Sequence, residues 1–262
     1  MSWPGGFNIR DLGGLPLTDG GTTRTGAVVR AGHPSSLTPE GWDAALEYGI
    51  RTVIDLTDGD WDDLHPRPTA IETRAVPLDD MDDTDFWRPL QESGHWGTAL
   101  YYRPFLRRFP HRLVDAVAAI ASAGPGGVLF HCARGRDRTG LIATVLLAIA
   151  GVDPVAIADD YDLSNAEATR VELVALGHSD DGDAVTRIVG EAGTTNHAEL
   201  RALLTDTDVP ALLRTSGLSE KDLAAIRRRL TPDRVHDGAD LGITGSFTAP
   251  RIAPGSRGDS PQ

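Results

Sequence analysis

Residues 127–140 have the sequence GVLFHCARGRDRTG, which contains the strongest local signals in the chain. Its first four residues are apolar and include branched and aromatic side chains, which is typical of a buried strand. A short turn with a central glycine follows. Apolar residues then dominate residues 138–150, over a length that suits a helix. The stretch therefore predicts a strand, a tight loop and a helix in direct succession.

Such a unit presents several positive groups to an anion at one point. Backbone N–H groups of the turn converge there with the helix N-terminus, where the peptide dipoles favour negative charge. Cys132 stands at the strand end, and a thiol in this field favours its thiolate form. Arg138, six positions later, can grip two phosphoryl oxygens with its planar fork. Thr139 can hydrogen-bond the sulfur and ease its departure. Cys132 is therefore predicted as a nucleophile.

The charge of this loop contrasts with that of the chain. Three arginines lie within residues 134–138, whereas the 262 residues contain 25 Lys and Arg against 38 Asp and Glu, a formal net charge of -13. Nucleic acid and anionic membranes repel an acidic chain, so we expect neither as a partner. Burial as a small hydrophobic residue would explain Cys132 alone. It would not explain the glycines, the arginines and the helix start around it.

Outside this stretch, β-branched segments alternate with segments of helical periodicity. Strands are predicted at residues 27–30, 52–56, 73–76 and 127–131. One helix is predicted from Pro39, with Thr38 as N-cap and Gly49 after its end, and another over residues 113–121. The alternation indicates an α/β fold with a central, mainly parallel sheet flanked by helices and a helical second half.

We expect one domain over residues 1–231 and a disordered tail over residues 232–262. The tail is rich in Gly, Pro, Ser and Asp, so it has too little apolar surface to bury. Residues 79–97 and 179–183 show no periodic pattern and are predicted as loops.

Cysteine content and apolar segments bear on location. Cys132 is the only cysteine, which excludes an intramolecular disulfide and a thiolate-rich metal site and favours a reducing compartment. The N-terminal residues lack the pattern of a signal peptide, and the longest apolar stretch, residues 141–152, is too short to span a bilayer. The eight histidines show no pair at ligand spacing. We therefore expect a cytoplasmic protein with no cofactor, no metal ion and no membrane insertion.

The loop His131-Cys132-x5-Arg138-Thr139-Gly140 resembles the signature of the protein tyrosine phosphatase superfamily. Rhodanese-like loops and arsenate reductases share the spacing of cysteine and arginine. The histidine before the cysteine and the Arg-Thr-Gly after it favour the phosphatases. The mid-chain position differs from the low-molecular-weight class, whose loop lies near the N-terminus.

Further segments narrow the resemblance. They are FNIRDLGG at residues 7–14, VRAG at residues 29–32, IRTVIDL at residues 50–56 and DYDLSN at residues 160–165. In this order they are similar to the atypical bacterial branch related to secreted mycobacterial and listerial phosphatases. The resemblance covers residues 7–230 and implies a tyrosine-phosphatase-like α/β fold and a hydrolase.

The resemblance also implies a general acid inside the loop. A loop aspartate has this role in the branch, and Asp137 occupies its position. An Asp near a helix N-terminus is also a common cap, so a structural role is the alternative for this residue. A second source of the acid is the run DDMDD at residues 79–83, which could place one carboxylate over the site.

The remaining loop residues are predicted to bind substrate. They are Ala133, Arg134, Gly135 and Arg136. Arg136 stands where the branch has lysine and Arg134 is an additional charge, which favours a substrate with a second anionic group. In the alternative, Arg134 points to solvent or pairs with an aspartate of residues 79–83.

Three residues are predicted to support the loop. His131 would tune Cys132 through a hydrogen bond. Arg30 and Asp55 end strands, so they would border the pocket or pair with each other.

These expectations combine into one function with alternatives. The first is a metal-independent phosphomonoester hydrolase with a phosphocysteine intermediate, acting on phosphotyrosine in proteins or with dual specificity. The second is a phosphatase of a small phosphorylated metabolite, such as a nucleotide, a biosynthetic intermediate or a phosphoinositide. The third is a phosphate-binding pseudophosphatase. A sulfur transferase or arsenate reductase lacks support because no resolving thiol is present. The partner is a phosphorylated substrate, and the oligomeric state is left open.

Overall fold

The sheet has five strands within residues 1–58 and 63–232, the part of the chain that the computed structural model describes. The strands are β1 Arg10–Asp11, β2 Val28–Ala31, β3 Ile50–Asp55, β4 Glu72–Ala75 and β5 Gly127–His131. Their order across the sheet is β1-β2-β5-β3-β4, with β1 antiparallel to β2 and the other neighbours parallel. Each predicted strand overlaps an observed one, so the mainly parallel sheet is confirmed.

Helices flank the sheet. Every regular element after β5 in the described residues is a helix, which confirms the helical second half. The α-helices are α1 Pro39–Glu47, α2 Thr84–Glu92, α3 Tyr102–Arg108, α4 Pro110–Ala121, α5 Asp137–Ala150, α6 Pro154–Asp162, α7 Glu167–Ala175, α8 Gly182–Glu191, α9 Asn196–Asp206, α10 Val209–Thr215 and α11 Glu220–Leu230.

Strand β5 is buried along its whole length between two apolar layers. Val128 and Phe130 belong to the larger cluster, together with residues of α4, α5 and α11. Leu129 belongs to the smaller cluster, together with Trp42 of α1. Because helices cover both faces of the sheet, β5 has no polar face, which explains its continuous apolar run.

Helix α1 confirms the local helix signals. The hydroxyl of Thr38 accepts a hydrogen bond from the backbone N–H of Gly41 at 3.2 Å, and Pro39 opens the helix. Gly49 follows the helix end with φ of +102°, a conformation that favours glycine.

The loop predicted over residues 79–97 is wrong in its middle part, where α2 lies. Asp83 caps this helix. Trp87 is buried, donates from Nε1 to the carbonyl of Asp80 at 2.6 Å and stacks on Phe109. Packing of aromatic rings, and not a stripe of aliphatic residues, anchors this helix. The usual periodic signal of a helix is therefore weak in the sequence.

Two expectations concern parts of the chain beyond the sheet. The tail predicted over residues 232–262 lies, from residue 233 onward, outside the described residues, so the division into domain and tail stays a prediction. Among the described helices, none combines the length and the apolar character needed to cross a membrane.

Candidate active site

The loop after β5 lies at the carboxyl edge of the sheet. Ala31 of β2 and Asp55 of β3 both pair in register with His131, the residue before Cys132. Cys132 is buried, with 2% of its surface exposed. Helix α5 begins at Asp137, one residue before the predicted start. The strand, the loop and the helix predicted from the sequence are thus in direct succession.

Donors outside the loop hold three successive carbonyl groups of it. The oxygen of Ala133 accepts from the backbone N–H of His33 at 3.1 Å, that of Arg134 from Nδ2 of Asn8 at 2.9 Å, and that of Gly135 from Nη2 of Arg30 at 2.8 Å. The C=O and N–H of a trans peptide point in opposite directions. The N–H groups of residues 134–136 therefore face the other side, as a cradle for an anion requires.

Gly135 makes the tight turn of the loop. Its φ is +69°, and a Cβ there would lie 2.5 Å from the carbonyl carbon and oxygen of Ala31. Both the backbone conformation and the close approach to β2 therefore require glycine at this position.

Arg30 supports the loop from below. Its side chain is fully buried, and Nη1 lies 2.5 Å from Oδ2 of Asp160 while Nη2 holds the carbonyl of Gly135. Arg10 pairs with the same carboxylate at 3.0 Å. Arg30 thus pairs with Asp160 and not with Asp55, which was one of the two roles expected for it.

Arg138 lies between carboxylates at the mouth of the site. Its Nη1 is 3.4 Å from Oδ1 of Asp58, and its Nε is 3.5 Å from Oδ2 of Asp79. Burial alone would lower the pKa of Arg138, but the Coulomb attraction of Cys132 and Asp79 raises it above its ordinary value. The guanidinium is therefore a permanent charge next to the sulfur.

The aspartates of residues 79–83 have different surroundings. Asp80 pairs with Arg112 at 3.3 Å, and Asp83 caps α2 and pairs with an arginine of α3. Asp82 is exposed. Asp79 is buried, and this burial raises its pKa to about 6 against the opposing effect of Arg138. Of this run, only Asp79 contacts a loop residue through its carboxylate among the described ion pairs.

Asp137 opens α5 and lines the same pocket as Cys132. Its Oδ1 accepts a hydrogen bond from Nε of Arg136 at 2.9 Å. Its backbone carbonyl accepts from the hydroxyl of Tyr102 at 2.7 Å. The carboxyl group is therefore fixed at the pocket wall.

Arg134 and Arg136 share a partner that the sequence did not indicate. Nη1 of each lies within 3.0 Å of Oδ1 of Asp181, at 3.0 Å and 2.9 Å respectively. Arg134 therefore pairs with the loop before α8, and not with solvent or with residues 79–83 as the alternative had it. Asp181 lies in the segment predicted as a loop, but nothing in its neighbourhood along the chain points to the site.

His131, His33 and Asp55 form a polar cluster beside the loop. One ligand-type atom from each lies within 4.8 Å of the others, a proximity that the sequence spacing does not show. Nδ1 of His33 accepts from the backbone N–H of Ser35 at 3.1 Å, so in the neutral ring Nε2 carries the proton and offers a metal no lone pair. Burial, with His33 nearby, lowers the pKa of His131 well below its ordinary value. These properties are consistent with a role of the cluster in supporting the loop after β5. The expected lack of a metal ion stays a prediction.

Thr139 is fully buried in the first turn of α5. Its hydroxyl has no hydrogen-bond partner among the described residues. A buried hydroxyl without a partner is costly, so a partner that forms during the reaction would explain it.

The pocket above Cys132 has a volume of about 640 Å³ and two unlike walls. One wall is the charged loop. The other is mainly apolar and is formed by α8, by the end of α2 and by the segment after it: Gln91, Gly94, Trp96, Gly97, Ala184, Val185 and Ile188. Sequence reasoning missed this wall, because its members are far apart along the chain.

A family model described as the tyrosine phosphatase family matches residues 1–232. The chain belongs to this family. The membership confirms the resemblance inferred from the loop of residues 131–140.

Three relatives of this tyrosine phosphatase family member have similar sequences. A Cupriavidus necator protein is 30% identical over 177 residues, which cover 64% of this chain and 64% of that protein. A tyrosine-protein phosphatase of Nostoc commune is 31% identical over 143 residues, covering 53% of this chain and 48% of that protein. The triple specificity protein phosphatase PtpB of Mycobacterium tuberculosis is 28% identical over 194 residues, covering 62% and 68%. The chain thus spans less than two thirds of the length of the first two.

Proposed function

We propose that this protein is a metal-independent phosphomonoester hydrolase that acts through a phosphocysteine intermediate on phosphotyrosine in proteins. One observation carries the proposal: Cys132, Asp137 and Arg138 line one pocket at the junction of β5 and α5. The names of two relatives, tyrosine-protein phosphatase and triple specificity protein phosphatase, support the same class. Activity on phosphoserine and phosphothreonine, a dual specificity, is compatible with this site.

The first step forms a bond from the sulfur of Cys132 to phosphorus and breaks the ester P–O bond. Arg138 and the loop N–H groups hold the phosphoryl oxygens, where charge is spread in the transition state. Asp137 gives its proton to the leaving oxygen. The hydroxyl of Thr139 stabilises the sulfur when it leaves later. A free thiol is needed throughout, which suits a reducing compartment such as the cytoplasm.

In the second step a water molecule attacks the phosphorus of phosphocysteine. The ionised carboxylate of Asp137 takes a proton from the water, and the S–P bond breaks. Inorganic phosphate leaves, and the thiolate of Cys132 and the protonated acid are restored. The thiolate, the guanidinium group and the carboxyl group thus supply the nucleophile, the positive charge and the proton that the two reaction steps need.

The apolar wall favours an aromatic substrate over a polar metabolite. Trp96, Val185 and Ile188 line the same pocket as the loop and can contact a phenyl ring. Arg134 and Arg136, which favoured a metabolite with a second anion, are both engaged by Asp181. Phosphotyrosine fits these surroundings better than a nucleotide or a sugar phosphate.

The test compares Cys132→Ser and Asp137→Asn with the unaltered protein on aryl phosphates of graded leaving-group pKa. Cys132→Ser should lower kcat by at least about a thousandfold, because the serine hydroxyl is not ionised. Asp137→Asn should lower kcat by about a hundredfold for phenyl phosphate and far less for an ester with a good leaving group, which needs no proton.

Asp82→Asn is the matched control, because Asp82 is exposed in the competing acidic run. It should keep the unaltered rates with every ester. Full activity of Cys132→Ser would refute the mechanism, and a leaving-group effect in Asp82→Asn would move the acid to residues 79–83. Binding of vanadate without any hydrolysis by the unaltered protein would indicate a pseudophosphatase.

A further inference from the structure

Two arginines of the loop grip one carboxylate from a distant part of the chain. Arg136 binds Asp181 with both of its terminal nitrogens, Nη1 to Oδ1 at 2.9 Å and Nη2 to Oδ2 at 3.1 Å. Arg134 adds a contact of 3.0 Å to Oδ1, and it also donates to the carbonyl and the hydroxyl of Ser179, both at 2.9 Å. Asp181 is thus held as a bidentate anion would be held.

The carboxylate of Asp181 offsets part of the charge of the two loop arginines. Arg134 and Arg136 each carry a positive charge, and Asp181 lies within 3.0 Å of both. Burial alone would lower the pKa of Arg136, but Asp137 and Asp181 raise it above its ordinary value. Burial would raise the pKa of Asp181, but the same arginine and Arg134 outweigh it, so the carboxyl group stays ionised at neutral pH.

Arg134, Arg136 and Asp181 lie together in the candidate substrate pocket. They line the same cavity as Cys132. Asp181 immediately precedes α8, whose residues Val185 and Ile188 form the apolar wall of that cavity. A substrate bound at Cys132 therefore shares one cavity with the carboxylate of Asp181 and with the apolar residues of α8.

We propose that Asp181 is a specificity-determining residue, whose carboxylate occupies the position that a second anionic group of the substrate would take. This inference rests on the proposed function. A substrate with a second phosphate or carboxylate would have to displace Asp181 from both arginines or lie against its negative charge. The pocket therefore selects monophosphates whose remaining part is uncharged, and it does so by repulsion as much as by the apolar wall.

The test is the variant Asp181→Asn, measured with phenyl phosphate, its 3- and 4-carboxy derivatives and benzene-1,3-diyl bisphosphate. Asparagine keeps the shape of the side chain, and Asp181 makes no side-chain cap hydrogen bond at α8 that the change would remove. The readout is the ratio of kcat/KM for each ester with a second anionic group to that for phenyl phosphate. The variant should raise this ratio about tenfold, because one unit of net positive charge is uncovered next to the substrate. The gain should fall with added salt.

The control is Asp183→Asn. Asp183 lies two residues away, is 90% exposed and pairs with Arg170 outside the pocket, so the ratio should not change. Adding Arg134→Gln to Asp181→Asn should remove most of the gain, because one of the uncovered charges is lost. Asp181→Ser removes the carboxylate in a second way and should give the same increase in the ratio of kcat/KM values. The test therefore remains possible if one of the two variants folds poorly.

The outcomes separate this inference from the proposed function. No turnover of phenyl phosphate by the unaltered protein refutes the proposed function. Normal turnover of phenyl phosphate, with an unchanged ratio in both Asp181 variants, refutes only the role of Asp181. An equal increase in Asp183→Asn would also refute it, because the effect would then be one of overall charge.

Discussion

The carboxyl group of Asp79 couples protonation to the stability of the site. It is buried behind Arg138, and its Oδ1 has no hydrogen-bond partner among the described residues. Burial raises its pKa from 3.8 to about 6, although the guanidinium opposes this. The folded chain therefore holds the proton more tightly than the unfolded chain. Stability is then lost as the pH rises from about 4 to about 6.

The variant Asp79→Asn should remove this loss, because the amide is neutral at every pH. Its advantage in the free energy of unfolding should grow by about 2 kcal/mol between pH 4.5 and pH 7.5. Urea unfolding at both pH values measures it. Asp80→Asn, in the neighbouring and half-buried position, should show no such growth. An advantage for Asp79→Asn that is constant or shrinks with pH would contradict the raised pKa.

The position of α5 depends on one close contact with its neighbours. A Cβ at Gly140 would lie 2.6 Å from the hydroxyl of Tyr102 in α3 and 2.8 Å from the ring of Tyr161 in α6. The same hydroxyl donates to the carbonyl of Asp137 in the first turn of α5. Glycine at this position thus lets α3, α5 and α6 pack closely next to the turn of α5 that contains Asp137 and Arg138.

Gly140→Ala should destabilise the protein by about 1–3 kcal/mol, because rings and helix must move apart. It should also lower kcat, since the moved turn carries Asp137 and Arg138. Thermal unfolding and aryl phosphate turnover measure the two effects. The matched control is Gly190→Ala in α8, where a Cβ meets nothing within 4 Å. It should be neutral or stabilising by up to about 1 kcal/mol. Equal effects at both positions would contradict the packing argument.

At the scale of the whole molecule, one buried ion network joins the two halves of the chain. Asp160 of α6 pairs with Arg10 of β1 and Arg30 of β2, and Arg30 continues to the carbonyl of Gly135. Burial would raise the pKa of Asp160, but the two arginines lower it below its ordinary value. The network thus ties the N-terminal strands, the helical second half and the loop into one unit.

Asp160→Asn should lower the free energy of unfolding by about 3–5 kcal/mol, because it leaves two buried guanidinium groups without their counter-ion. Chemical denaturation at pH 7 measures this loss. Asp159→Asn is the matched control: its carboxylate is 67% exposed and pairs with His197, so the loss should be below about 1 kcal/mol. A small effect of Asp160→Asn would show that the network contributes little to stability.

Some of these features could be predicted from the sequence because their causes are local. Strand β5, the loop and α5 follow from an apolar run, a glycine and a second apolar run within residues 127–150. Cys132 and Arg138 are brought together by the same short turn, so their spacing alone was informative. Helix α2 was missed, since its anchor is the stacking of Trp87 on distant aromatic rings.

Sequence alone was thus enough to predict the strand, the loop around Cys132 and the arginine six residues later, and with them the family. Only the tertiary structure decided the partners of Arg134 and Arg136, the burial of Asp79 and the apolar wall of the pocket. Asp181 is 45 residues from Arg136, and a long-range ion pair leaves no periodic trace in a sequence. The loop is encoded by neighbours along the chain, whereas the pairing and burial of charged groups around it depend on contacts that exist only after folding.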